Sequence, residues 1–175
     1  MNSEKEIYKI LSRLKRAGIM DLWTEYKGKY LTSPASSKYH GSYEGGLAVH
    51  SLMVFKIFRK LLDTAKIILS YDTIVLCCLF HDLCKVDVYI MLKNEIIKNP
   101  MALKGHALLS IYRISRFVYL TELEKDIIKY HMGIFGLDEY SLEELQRKTN
   151  ENHVLMLFHC ADMLASRLEK RFKIS

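Results

Sequence analysis

A chain of 175 residues, half of them apolar, has the length of one domain and enough hydrophobic residues to bury its own core. Its 26 lysines and arginines exceed its 20 acids, and the formal charge of +6 favours anionic partners, yet no basic tract stands apart from acids as a nucleic-acid-binding arm would. Four cysteines without paired zinc spacing argue against a disulfide scaffold, the charged start argues against a signal peptide, and Asp72 breaks the longest apolar stretch, so a cytoplasmic protein with no membrane partner is expected.

The apolar residues recur mostly at three- and four-residue spacing, with few prolines or glycines between them, which predicts an all-α fold. A first helix is expected from Ser3 to Ala17, closed by Gly18, followed by a loop from Ile19 to Gly45. The Gly45-Gly46 pair leads into a second helix, Leu47 to Asp63. Asp72 to Phe80, apolar on every side, reads as a central helix enclosed by the others, with His81-Asp82 at its end. Asn99-Pro100 has the form of an N-cap followed by proline, predicting a helix that continues to Tyr119. Thr121 to Glu124 and Ser141 to Glu144 both have capping-box form. They predict one helix ending at His131-Met132 before Gly133 and a short one from Leu142, ahead of a last helix from Glu151 to Phe172. No repeat or linker divides the chain, so one domain over 1–175 is expected, with its core at about 33–172 and the helix of residues 3–17 packed on it.

The histidines fall where such helices should face inward. His50 lies three residues after Leu47 and four before Val54; His106 lies four before Ser110; His131 lies four after Ile127; Asp162 lies four after Phe158. One buried imidazole or carboxylate is usually a hydrogen-bonded core residue, but several in one small core need mutual compensation, which a bound cation supplies. His81 beside Asp82, whose two oxygens can bridge two ions, fits a dinuclear site fed by neighbouring helices. His159, three residues before Asp162, is expected to orient it, and His153 to lie on the surface.

Taken together, His50, His81-Asp82 and Asp162 on a helical core resemble the HD superfamily. His106 and His131 match the further ligands of its two-metal subgroup. The stretch Ser33-Pro34-Ala35 through Lys38-Tyr39-His40, with Tyr43-Glu44-Gly45-Gly46-Leu47 and His50-Ser51, resembles that around the first ligand in bacterial HD-domain 3′–5′ exoribonucleases. Phe80-His81-Asp82-Leu83-Cys84-Lys85 and His159-Cys160-Ala161-Asp162 are similar to their later motifs. The chain departs from that pattern at Cys84, where glycine is usual, at Gly41, where a second histidine often stands, and at Ala165, often acidic. Cys84 is expected to alter packing more than chemistry.

The resemblance implies a metal-dependent phosphohydrolase. One cation is held by His50, His81, Asp82 and Asp162, a second by Asp82, His106 and His131, and metal-activated water attacks a phosphomonoester or phosphodiester of a nucleotide-like substrate. Imidazole and carboxylate ligands suit two divalent transition metals, Mn, Fe, Co, Ni or Zn. Asp82, Lys85 and His40 are the expected catalytic residues; Lys85, His40, Lys104, Arg113 and Arg167 are the expected phosphate or substrate contacts. The expected partner is a small nucleotide-like anion or a short single-stranded nucleic acid. The same ligands are also similar to those of mixed-valent di-iron HD-domain oxygenases, and a non-catalytic nucleotide-binding HD module is a third reading.

Overall fold

A computed structural model of the protein describes residues 3–92, 95–103, 105–135 and 137–172. Eight helices follow in chain order: α1 (Ser3–Leu11), α2 (Ile19–Thr32), α3 (Gly46–Ala65), α4 (Tyr71–Phe80), α5 (His106–Ser115), α6 (Glu122–Lys129), α7 (Glu139–Glu151) and α8 (Val154–Phe172). A short 3₁₀ helix over Leu83–Asp87 and a small antiparallel hairpin, β1 (Tyr89–Leu92) with β2 (Glu95–Lys98), lie between α4 and α5. The all-α class holds. Among the described residues no helix is long and apolar enough to cross a membrane.

The middle of the molecule is built from α3, which packs along both α4 and α8. Every residue of α4 from Thr73 to Phe80 is buried, as its lack of a polar face requires. Its start is fixed by Ser70, whose hydroxyl accepts the Thr73 N–H at 3.1 Å. On α3 the inward stripe Leu47, Ser51, Val54, Phe55, Phe58 and Leu62 is buried together with His50. From α1, Ile7, Ile10 and Leu11 join the same core. Thr121 and Glu124 form the expected capping box at the start of α6.

Several sequence expectations are corrected. The first helix ends at Leu11, and residues 19–32 are helical where a loop was expected. Ile19, Leu22, Trp23, Tyr26 and Tyr30 share one buried face of α2, and the Tyr30 hydroxyl donates to the Leu79 carbonyl at 2.5 Å, so tertiary packing holds this segment in helix. Asn99-Pro100 does not begin a helix. The Asn99 side chain accepts the Met101 N–H at 3.0 Å, a local turn, and α5 starts seven residues later at His106. Asp138, not Ser141, caps α7 by accepting the Ser141 N–H at 2.8 Å. Finally α6 stops at Lys129 and α8 starts at Val154, whose N–H is held by Asn152 at 3.0 Å.

Candidate metal centre

Six side chains from separate parts of the chain converge beside the core. His50 sits on α3, Asp162 on α8, and His106 is the first residue of α5. His131 follows the end of α6 by two residues. His81 still donates its N–H to Cys77 at the close of α4, whereas Asp82 leaves the helical conformation, with φ −102° and ψ 19°. That break brings Asp82 Oδ2 to 3.4 Å from His81 Nε2, an approach that two consecutive residues of an unbroken helix would not make.

Asp82 stands between two groups of imidazoles. On one side Asp162 Oδ1 lies 2.9 Å from His50 Nε2 and 3.6 Å from His81 Nε2, with Asp82 Oδ2 3.9 Å from His50 Nε2. On the other, Asp82 Oδ1 lies 2.8 Å from His106 Nε2 and 3.5 Å from His131 Nε2. His81 and His131 each place Nδ1 on the carbonyl three residues earlier, Cys78 at 3.1 Å and Ile128 at 2.7 Å, which turns Nε2 toward the carboxylates. The six side chains are thereby brought together, with Asp82 between the two groups of imidazoles.

Electrostatics hold these groups in opposed states. Burial would lower the His81 imidazole, but Asp82 and Asp162 override it and raise the pKa to about 10. His106 is raised to about 10 in the same way, burial again being outweighed by Asp82. His131 is lowered because burial outweighs its carboxylate contacts. Burial also opposes ionisation of Asp82 and Asp162; Lys85, His81 and His106 hold the first, and His50 and His81 the second, well below the ordinary carboxylate range. Among the described residues, His81 Nε2 and Asp82 Oδ1 are buried and make no hydrogen bond of good geometry, although His106 Nε2 stands 2.8 Å from Oδ1. Such orphaned atoms cost about 1–3 kcal/mol each, and a cation between imidazole and carboxylate donors would take them up, so the residues fit a metal.

The other expected site residues divide. Lys85 Nζ is 2.6 Å from Asp82 Oδ2 and only 12% exposed, so it braces the carboxylate from inside. His40 packs at a tilt against His50 with ring centroids 4.7 Å apart, and its Nε2 is buried without a hydrogen bond. Burial, then His50 and Lys85, push His40 down to about 4, so near neutral pH it is an uncharged hydrogen-bonding group, poorly suited to give up a proton. Arg167 is exposed and lines a cavity of about 530 Å³ with Tyr39, His40, Met132, Phe135 and Asp162. Arg113 corrects the expectation made for it: it is buried, donating to the Leu83 and Cys84 carbonyls and to Asp87 Oδ2 at 2.7 Å, a clamp on the 3₁₀ helix. Lys104 lies outside the described residues. His159 does not orient Asp162; its Nδ1 lies 2.7 Å from the His131 carbonyl. His153 is exposed, as expected.

Two departures from the resembled pattern have local causes. Gly41 has φ +57°, and a Cβ there would lie 2.6 Å from the Ala35 Cβ, so no histidine fits. Ala165 is fully buried in the apolar core, which leaves no place for an acid. Cys84 was expected to alter packing more than chemistry, yet its sulfur lies 3.0 Å from His106 Nδ1, a contact invisible before the 3₁₀ helix and α5 are seen side by side. A separate cleft of about 460 Å³, lined by Lys29, Pro34, Asp87, Tyr89 and Asn99 among others, includes none of the six converging residues.

A protein of the all-α class whose centre gathers imidazoles and carboxylates in this way is of the metal-binding helical kind. The sequence pattern of the HD domain matches residues 47–169, more than half of the chain, and the protein belongs to the HD-domain family. Members of that family bind divalent metals and are in general metal-dependent hydrolases. No curated protein and no solved structure matches the chain.

Proposed function

We propose that this protein is a metal-dependent phosphohydrolase that cleaves a phosphomonoester or phosphodiester of a nucleotide-like substrate, in one HD domain that includes the N-terminal helix. The observation that carries this reading is the convergence of His50, His81, His106 and His131 on Asp82 and Asp162, with His81 Nε2 buried and without a hydrogen bond, beside cationic Lys85. His50, His81, Asp82 and Asp162 would hold one divalent transition metal, and Asp82, His106 and His131 a second; Mn, Fe, Co, Ni or Zn suit these donors. When bound, such ions supply an acidified water and offset charge on phosphoryl oxygens.

The chain's own residues do the rest. Lys85 fixes Asp82 and carries positive charge toward a substrate phosphate. The cavity beside Asp162 offers Tyr39 and Phe135 as aromatic walls for a base and Arg167 for an anion, while neutral His40 orients a polar group between cavity and cluster. The likeness around residues 33–51 to exoribonucleases makes short single-stranded RNA a substrate to compare with small nucleotides. Free Cys77, Cys78, Cys84 and Cys160 suit a reducing compartment such as the cytoplasm.

The test is phosphate release from mononucleotides, cyclic nucleotides, alarmones and short RNA by chelator-stripped protein with and without added Mn(II). Hydrolysis that needs the metal and is lost in His81→Ala with Asp82→Ala supports the reading. Tightly held iron with an oxygen-consuming reaction, or hydrolysis indifferent to that double substitution, overturns it.

A further inference from the structure

We propose that Cys84 is the positioning residue for His106, presenting its Nε2 toward Asp82, and that the second cation site of the reading above rests on it. His81 and His131 stand at the ends of their helices, where a carbonyl three residues back is free to hold Nδ1. His106 has no such carbonyl, because it opens α5. Its Nδ1 instead meets the Cys84 sulfur at 3.0 Å, while its Nε2 lies 2.8 Å from Asp82 Oδ1. Sulfur and carboxylate thus contact opposite nitrogens of one ring. With Nε2 turned to Asp82, the sulfur holds the ring rather than sharing a cation with that nitrogen.

The sulfur can orient the ring because its own backbone is fixed from α5. Ser110, one turn after His106, accepts the Cys84 N–H at 3.0 Å. Arg113, a turn further on, donates to the Cys84 and Leu83 carbonyls at 3.4 and 3.2 Å. One face of α5 therefore grips Cys84 at its amide, its carbonyl and its sulfur, and the thiol is fully buried. A glycine at this position would keep the two backbone grips and lose the contact to the ring. His106 is also the most exposed of the four clustered imidazoles, its side chain 31% accessible, and so has the least packing to orient it otherwise.

Co(II) titration of the full chain tests this, with ion count, affinity and optical spectrum as readouts. Wild type is expected to take up two ions and to show no sulfur-to-cobalt charge-transfer band. Cys84→Ala is expected to bind the first ion unchanged and the second roughly 10–100-fold more weakly, as loss of a group supporting a ligand does. Cys84→Ser, whose hydroxyl still accepts the Nδ1 proton, is expected to recover most of that affinity. In the Zn(II) form of wild type, a long-range ¹H–¹⁵N spectrum is expected to place the His106 proton on Nδ1, a readout that needs no variant to fold. Unchanged second-site affinity in Cys84→Ala, failure of serine to rescue, a charge-transfer band in wild type, or a proton on Nε2 would each overturn the assignment. Should wild type itself take up only one ion, the two-cation reading falls and the role of Cys84 with it, a failure recognisable because no variant is involved.

Discussion

Glu124 and Asp82 are both buried carboxylates in one small core, with side chains 0% and 2% exposed, yet their surroundings differ in kind. Glu124 receives Arg16 at 2.5 and 2.7 Å, the Thr73 hydroxyl at 2.8 Å and the Thr121 N–H at 2.9 Å, so both oxygens are used. Asp82 is approached by one lysine and several imidazoles, and its Oδ1, 2.8 Å from His106 Nε2, still makes no hydrogen bond of good geometry. A closed network ties α6 to α4 and to the segment after α1. An open one, with donor atoms converging on unshared space, is the mark of a site that takes a ligand.

Breaking the open network should cost function more than fold. Asp82→Ala removes the carboxylate that comes within 4 Å of His50, His81, His106 and His131 and should lower metal-dependent hydrolysis by at least about 10³-fold, measured as kcat/KM with saturating Mn(II). Breaking the closed network should do the reverse. Glu124→Ala strands Arg16 and the cap of α6 and should cost about 3 kcal/mol of stability by urea denaturation, with metal uptake unchanged.

Acidity separates the two as well. Burial opposes ionisation of Glu124, but Arg16, Thr121 and Thr73 hold its pKa below the ordinary value. Its stabilisation is therefore complete above the unfolded carboxylate pKa of about 4.3 and is lost as pH falls through the lower folded value. Glu124→Gln should remove that part of the acid unfolding curve. In the cluster, His81 and His106 titrate near 10 without metal, so loading near neutral pH must displace protons. Apparent affinity should rise roughly tenfold per pH unit for each cation that displaces one proton, and the heat of binding should depend on the buffer. A pH-independent affinity would contradict the placement of those protons. The smallest effect belongs to neither network: Arg147→Ala, at an exposed pair with Glu151, should change stability by about 0.3 kcal/mol or less.

The helical class and the convergence of His50, His81, Asp82, His106, His131 and Asp162 were legible because each lies on or beside a helix whose apolar period shows which face is inward. The helix at 19–32 was masked by Gly18 and Gly28 and by polar residues between its aromatics, although Leu22, Trp23, Tyr26 and Tyr30 keep the period; its stability comes from contact with α3 and α4. Asn99 misled because an asparagine that caps a helix and one that closes a turn look alike until its partner amide is seen. Arg113 and Cys84 were misjudged for a related reason. Their partners, Leu83, Asp87 and His106, are 22 to 30 residues away, and spacing along the chain says nothing about such approaches.

The central claim is that the open cluster around Asp82 is a metal centre, and titration of chelator-stripped protein with Mn(II) near neutral pH tests it most directly. Two ions bound per chain in wild type and in Glu124→Ala, with neither held tightly in Asp82→Ala, is the predicted result. Wild-type protein that takes up no transition-metal ion, or an Asp82→Ala variant that binds as many as wild type, would contradict it.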